Sequence, residues 1–298
     1  MPVRIVGIAL WLAVVAVVAG CGGGGKSSSS TTPSGPGVKK DAKVAAEVPA
    51  AVRKKGTITV AADASYPPNE FIGPDGHTVI GMDVDLANAL GAVMGLKTNV
   101  TNAPFDSIIP GLSAKKYDVG MSSFTDTKER QKVVDFVTYF TVRTAFFEKA
   151  QGGPKVNGLA DLCGVTVAVE KGTTQADDAN AQGKKCKAAG KKGVTVLIFP
   201  DQNGANLALS SGRAQLGMAD YPVAAYQVKK TNGQFKLVGQ TYGPFPYGIA
   251  VPKGTGMTRP LLSALKVLIR DGRYKAILTQ WGVPAGAISN PKINGATS

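Results

Sequence analysis

Hydrophobic and polar positions fall into two successive runs of the same grammar. Residues 57–62, TITVAA, alternate and are rich in β-branched side chains, which predicts a strand. Over residues 81–95, Leu86, Leu90 and Val93 recur at helical spacing and Gly95 closes the run. Residues 97–101 read as a second strand. A helix opens at Phe105-Asp106 and carries Ile108, Ile109 and Leu112, and residues 118–121 form a third strand. The order β-α-β-α-β predicts a parallel, doubly wound lobe. Residues 134–147, rich in β-branched and aromatic side chains, leave that lobe as a hinge strand.

The second run begins at Val165. It reads as a strand over 165–169, a glycine-led loop over 172–175, a helix over 175–182, a strand over 194–199, a helix over 203–211 and a strand over 214–219 that ends at Asp220. Residues 235–240 and 247–251 are extended and carry the chain back. Residues 257–280 contain Leu261, Leu262, Leu265, Leu268 and Ile269, a turn at Asp271-Gly272, then Tyr274, Ile277 and Leu278, with Trp281 just beyond: two amphipathic helices. The Gly/Pro/Asn-rich tail from Val283 is expected to be mobile.

Before the first strand the pattern changes character. Arg4 precedes an apolar run over residues 5–18, followed by Ala19-Gly20-Cys21. A charged start, a short apolar core and small residues describe an export signal, and the run is too short for a comfortable membrane span. Val18-Ala19-Gly20-Cys21 resembles the bacterial lipobox, which implies a signal peptide over 1–20 and a lipid on Cys21. The Gly22–Gly25 tether and the Ser/Thr/Pro/Gly-rich stretch after it predict a flexible linker over 21–46. Folding is expected to begin near Glu47, with a short helix to Lys55.

Length and charge refine this picture. The 298 residues suit two lobes, and the chain is 44% hydrophobic with 18% charged residues. The formal net charge is +14, but its lysines are scattered and no basic block is interleaved with aromatics, which argues against nucleic acid. Apart from Cys21, Cys163 and Cys186 remain, and an exported chain favours a disulfide between them over two buried thiols. His77 is the one histidine and sits by the turn Gly73-Pro74-Asp75-Gly76, which argues against a histidine triad or metal site.

One stretch carries most of the candidate chemistry. In residues 122–130, SSFTDTKER, Ser123, Thr125 and Thr127 alternate and Arg130 follows. Thr125 or Thr127 is placed to cap a helix starting near Lys128. Hydroxyls, free N–H groups and a guanidinium at a strand-to-helix junction suit a small carboxylate. Asp63 and Tyr66 leave the C-terminal end of the first strand in a proline-broken loop over residues 63–71, where α/β sheets place ligands. Gly172-Thr173-Thr174-Gln175 again offers N–H groups and hydroxyls.

These segments, together with residues 66–71 (YPPNEF), 81–87 (GMDVDLA), 105–112 (FDSIIPGL) and 247–251 (YGIAV), resemble the bacterial solute-binding proteins of polar amino acid ABC transporters. The resemblance implies a two-lobed α/β periplasmic-binding-protein-like fold (type II), with two hinge strands and a ligand cleft between lobes. One lobe would comprise residues 47–142 and 245–298, the other 143–244. It implies that Arg130 pairs with an amino acid's α-carboxylate, helped by Thr125 and the backbone of Ser123. Asp220 would take the α-ammonium with Thr174 and Gln175, Tyr66 and Phe105 would sandwich the side chain, and Asp63 would meet its distal group. Asp63, Glu70 and Glu170 lean towards a basic amino acid, whereas Asn69 and Gln215 depart from the family pattern. The implied protein is a monomeric lipoprotein without cofactor that serves ABC permease subunits. Alternatives are a cyclohexadienyl dehydratase-like enzyme, with Glu170 as general acid, and a ligand-sensing subunit for a membrane receptor.

Overall fold

The structure, a computed structural model, describes residues 37–296. In chain order the strands are β1 (Thr57–Ala62), β2 (Ser65–Tyr66), β3 (Glu70–Ile72), β4 (Val79–Ile80), β5 (Lys97–Asn102), β6 (Val119–Gly120), β7 (Val134–Lys149), β8 (Thr166–Glu170), β9 (Thr195–Phe199), β10 (Leu216–Asp220) and β11 (Phe235–Pro252). The helices are α1 (Ala42–Glu47), α2 (Ala50–Lys55), α3 (Met82–Met94), α4 (Phe105–Ser113), α5 (Thr174–Ala188), α6 (Gln202–Ser210), α7 (Tyr221–Lys230), α8 (Thr258–Arg270) and α9 (Arg273–Gln280). The signal peptide, Cys21 and most of the linker expected from the sequence lie outside the described residues.

Eight strands join in the order β5-β1-β6-β11-β7-β10-β8-β9. β1 pairs in parallel with β5 and β6, and β8 pairs in parallel with β9 and β10. Between these two parallel groups run β7 and β11, antiparallel to each other from Phe235 opposite Lys149 to Pro252 opposite Val134. The fold is therefore two α/β lobes joined by two long hinge strands. On one side the alternating apolar positions of β1 and the helical stripe of α3 meet α8, burying Val60, Leu86, Leu90, Tyr139, Leu265 and Leu268 together. On the other, Phe146, Val167, Val169, Ala179, Leu216 and Met218 form a separate core under α5. Each parallel group thus buries its own apolar face, and the polar cleft falls between them.

Several expectations need correction. The ordered body starts before Glu47: Asp41 caps α1 by accepting from the N–H groups of Lys43 and Val44, and Val44 and Ala45 are buried. One short helix is too brief to show a period beside a linker-like composition. The loop over residues 63–71 contains β2 and β3, which pair and continue to β4 as a small three-stranded sheet. Prolines 67 and 68 sit at its turn, where no ladder N–H is needed. The helix expected near Lys128 is a single 3-10 turn over Arg130–Lys132, with Thr127 Oγ1 accepting from Arg130 N at 3.2 Å. α5 runs well past Gln182 to Ala188, and Cys186 near its end is bonded to Cys163. The tail is docked: Thr138 N donates to Lys292 O at 2.8 Å, and Phe136 N donates to Asn294 Oδ1 at 2.8 Å. His77 is exposed and bound to Asp75 in its turn, as expected.

Candidate ligand-binding cleft

Strand ends and helix starts from both lobes converge on one polar pocket. It is lined by Asp63, Tyr66, Glu70, Phe105, Ser122, Ser123, Thr125, Arg130, Glu170, Thr173, Thr174, Gln175 and Asp220. All nine residues singled out as ligand contacts in the sequence are brought together here. Glu170, weighed as a lean towards basic ligands and as the general acid of the dehydratase alternative, is among the others, as is Glu70.

Arg130 reaches into the pocket from the turn after β6. Its Nη1 donates to Thr125 O and its Nη2 to Gly172 O across the cleft, both at 2.8 Å. The guanidinium lies over the rings of Phe105 and Phe124, 5.3 and 5.4 Å from their centroids, and those rings stack on each other. Burial pulls its pKa down to about 10, opposed by the carboxylates of Asp177, Asp220 and Asp126. It therefore stays charged at neutral pH, and its remaining N–H groups are available to a carboxylate. Ser123 beside it has a left-handed backbone (φ 51°), an unusual conformation for a residue with a side chain. Asp83 holds it there by accepting from Ser123 N at 2.8 Å, and Tyr139 donates to the same carboxylate oxygen at 2.7 Å.

Asp220 ends β10, at the N-cap position of α7, yet its side chain makes no capping bond. Instead Oδ2 accepts from Tyr247 at 2.6 Å and from Tyr66 at 3.2 Å, and Oδ1 accepts from Gln175 Nε2 at 2.9 Å. Burial pushes the carboxyl up to about 6; these three donors and the Arg130 guanidinium pull it down. Tyr66 has a second bond: its hydroxyl accepts from Asp220 N at 3.0 Å. This side chain, read from the sequence as a wall of the ligand sandwich, thus also ties the two lobes together. Gln175 is itself braced by donating to Thr144 Oγ1 at 3.1 Å, and Thr173 starts α5 by accepting from Ala176 N.

The far end of the pocket is acidic. Asp63 accepts from Phe105 N at the start of α4 at 2.9 Å, and its own N–H donates to Ser122 Oγ. Burial, with the Asp201 carboxylate, raises its pKa against the bonds from Ser65 and Phe105 N. Glu70 accepts from Ser122 and Ser123, and burial and neighbouring Asp83 raise it well above the usual carboxylate range. Glu170 is raised well above that range by burial and by the carboxylates of Asp63, Asp201, Asp220 and Asp106. Its Oε1 is buried and has no hydrogen-bond partner among the described residues. Burying carboxylates without countercharge is costly, which is why burial holds these groups toward their protonated forms.

Tyr247, Tyr139, Asp83 and Thr144 were not foreseen as parts of this site. They support pocket residues through pairings distant in the chain, which local pattern does not reveal. Tyr247 stood within the extended segment 247–251, but its direction follows only from the β7–β11 register.

The chain belongs to the bacterial extracellular solute-binding proteins, family 3, whose model matches residues 58–284. Among its relatives, the arginine-binding protein ArgT of Corynebacterium glutamicum is 33% identical over 253 residues, spanning 85% of this chain and 83% of that protein. ABC transporter arginine-binding protein 1 of Escherichia coli is 34% identical over 230 residues, 75% and 90% of the two chains. A solved structure of an ancestral arginine-binding protein bound to arginine superposes with a TM-score of 0.70 at 36% identity, covering 76% of this chain and 98% of that one.

Proposed function

We propose that this chain is the lipid-anchored, extracytoplasmic binding component of an ABC importer and that its ligand is arginine. Arg130 and Thr125 take the α-carboxylate; the Ser123 N–H, expected from the sequence to help, is instead committed to Asp83. Asp220 takes the α-ammonium, with Thr174 and Gln175 beside it. Tyr66 and Phe105 enclose the aliphatic stem, and Asp63, Glu70 and Glu170 receive the guanidinium. Cys21 carries the lipid, and the linker after it lets the body reach permease subunits as a monomer. The lobes meet at 142/143 and 244/245, a division supported by the irregular ladder between Tyr242 and Phe245.

The observation that carries the choice of arginine is the unpartnered, buried Glu170 oxygen within a group of carboxylates. A guanidinium supplies both the charge and the donors that this group lacks. Glutamine or glutamate would leave it uncompensated. Contacts to both lobes make ligand binding favour the closed state.

Thermal unfolding of the full chain with each proteinogenic amino acid tests this reading. Arginine is expected to give the largest shift, equivalent to about 2.7 kcal/mol at a hundredfold excess over Kd. No shift with arginine would sink the proposal. Prephenate and arogenate are expected to be recovered unchanged after incubation; aromatic product would instead support a dehydratase.

A further inference from the structure

Beside the cleft lies a second cavity of about 490 Å³. Residues 140–143 of β7, Thr241 and Pro244 of β11, and Gly282, Val283, Ala285 and Gly286 form much of it. α7 contributes Tyr221, Pro222, Ala225, Tyr226 and Lys229, and Pro68 completes the wall. The two spaces share a partition. Tyr66 and Asp220 face the polar cleft, whereas Pro68, Tyr221 and Pro222 face the larger cavity. The Tyr66–Asp220 hydrogen bonds that tie the lobes run through that partition.

The larger cavity is mainly apolar and within the size range of small-molecule sites. Two cations, Arg143 and Lys229, line it and no carboxylate does. Arg143 donates to Thr241 Oγ1, Thr241 O and Gly243 O, which orient the guanidinium without neutralising it. Among the described residues neither cation forms a salt bridge. An open apolar cavity with two solvent-exposed cations and no carboxylate in its lining suits a ligand that buries hydrocarbon and presents one anionic head.

We propose that this cavity binds an amphipathic organic monoanion, an acyl or aryl carboxylate, and that its occupation favours closure of the neighbouring cleft. The first part stands on the cavity alone; the linkage rests on the reading of the cleft as an arginine site. The ligand would touch α7 on one lobe and Pro68 and residues 282–286 on the other, so it prefers the arrangement in which both walls are present.

Calorimetric titration of the full chain with decanoate, below its micellar concentration, tests the assignment. Decyltrimethylammonium serves as the cationic counterpart. Lys229→Glu is expected to weaken decanoate about tenfold and to strengthen the cation. Ala225→Trp, which fills the cavity, is expected to abolish both while circular dichroism and arginine binding remain those of the parent. Saturating decanoate is expected to tighten arginine about fivefold in the parent and not in Ala225→Trp. Equal decanoate affinity in the parent and both variants would overturn the proposal, since adsorption elsewhere on the chain would then explain it. A concentration-dependent dimer that decanoate dissociates would also overturn it, by making a second copy the occupant. Decanoate binding that follows the variants in a chain blind to arginine would refute the cleft reading and the linkage, and support the cavity assignment.

Discussion

The two ends of the cleft are built on opposite principles. At one end Arg130 and Asp220 supply one charge of each sign, and both carboxylate oxygens of Asp220 accept from named donors. At the other, Asp63, Glu70 and Glu170 bring three carboxyl groups together with no cation beside them among the described residues; hydroxyl and N–H donors serve Asp63 and Glu70, and burial raises all three. On the proposed reading, the balanced end meets what all amino acids share, and the unbalanced end meets one class of side chain. Affinity and selectivity are therefore separable by mutation.

The largest expected effect is at the balanced end. Arg130→Ala leaves Asp220 and the ligand carboxylate without a cation, a truncation that costs about 2–5 kcal/mol, or thirtyfold and more in Kd. Calorimetry with both arginine and glutamine is the check, and any glutamine binding should fall in the same proportion. Glu170→Gln acts at the other end. Losing a charge-assisted contact of about 1.5–3 kcal/mol should weaken arginine tenfold to a hundredfold and leave glutamine unchanged or improved. Equal loss for both ligands would erase the distinction between the ends.

Acid should act on the balanced end with a known sign. Asp220 must be ionised to hold an ammonium, and its carboxyl titrates near 6 without ligand. Arginine is thus expected to bind about tenfold more weakly at pH 5 than at pH 7, read by calorimetry in matched buffers. The folding contribution has the opposite direction. Because burial raises this group above its unfolded value of 3.8, the ligand-free body loses stability as pH rises from about 4 to about 6. The smallest effect is expected at the cleft mouth, where Lys171 Nζ lies 2.7 Å from Asp106 with a largely exposed side chain. Lys171→Ala should change arginine affinity by no more than about fivefold, and less as salt is raised.

The contrast also marks what the chain pattern could reveal. β1 falls on residues 57–62 because alternation and β-branching agree with burial there, and α8 and α9 follow their apolar stripes. Asp220 and the Gly172 loop were legible as pocket residues because each sits at a strand-to-helix junction, whereas Arg130 reaches the same pocket from a single 3-10 turn before β7. The clasp between Tyr66 and Asp220 was not, since 154 residues separate the two partners. Nor was the docking of the tail, whose Gly/Pro/Asn composition looks mobile until Asn294 and Lys292 find the backbone of β7. Cys163 and Cys186 were paired from the export signal and the even remainder of cysteines, and the structure bonds them.

That docking bears on how the protein behaves at high concentration. At its first-lobe end β7 pairs with β11 on one side, while residues 292–294 exchange hydrogen bonds with Phe136 and Thr138. The tail therefore occupies main-chain groups that would otherwise form a bare strand edge, the kind of surface on which chains add to one another. A purification tag or fusion that displaces these last residues would expose that edge, so aggregation rather than lost affinity would be the first symptom.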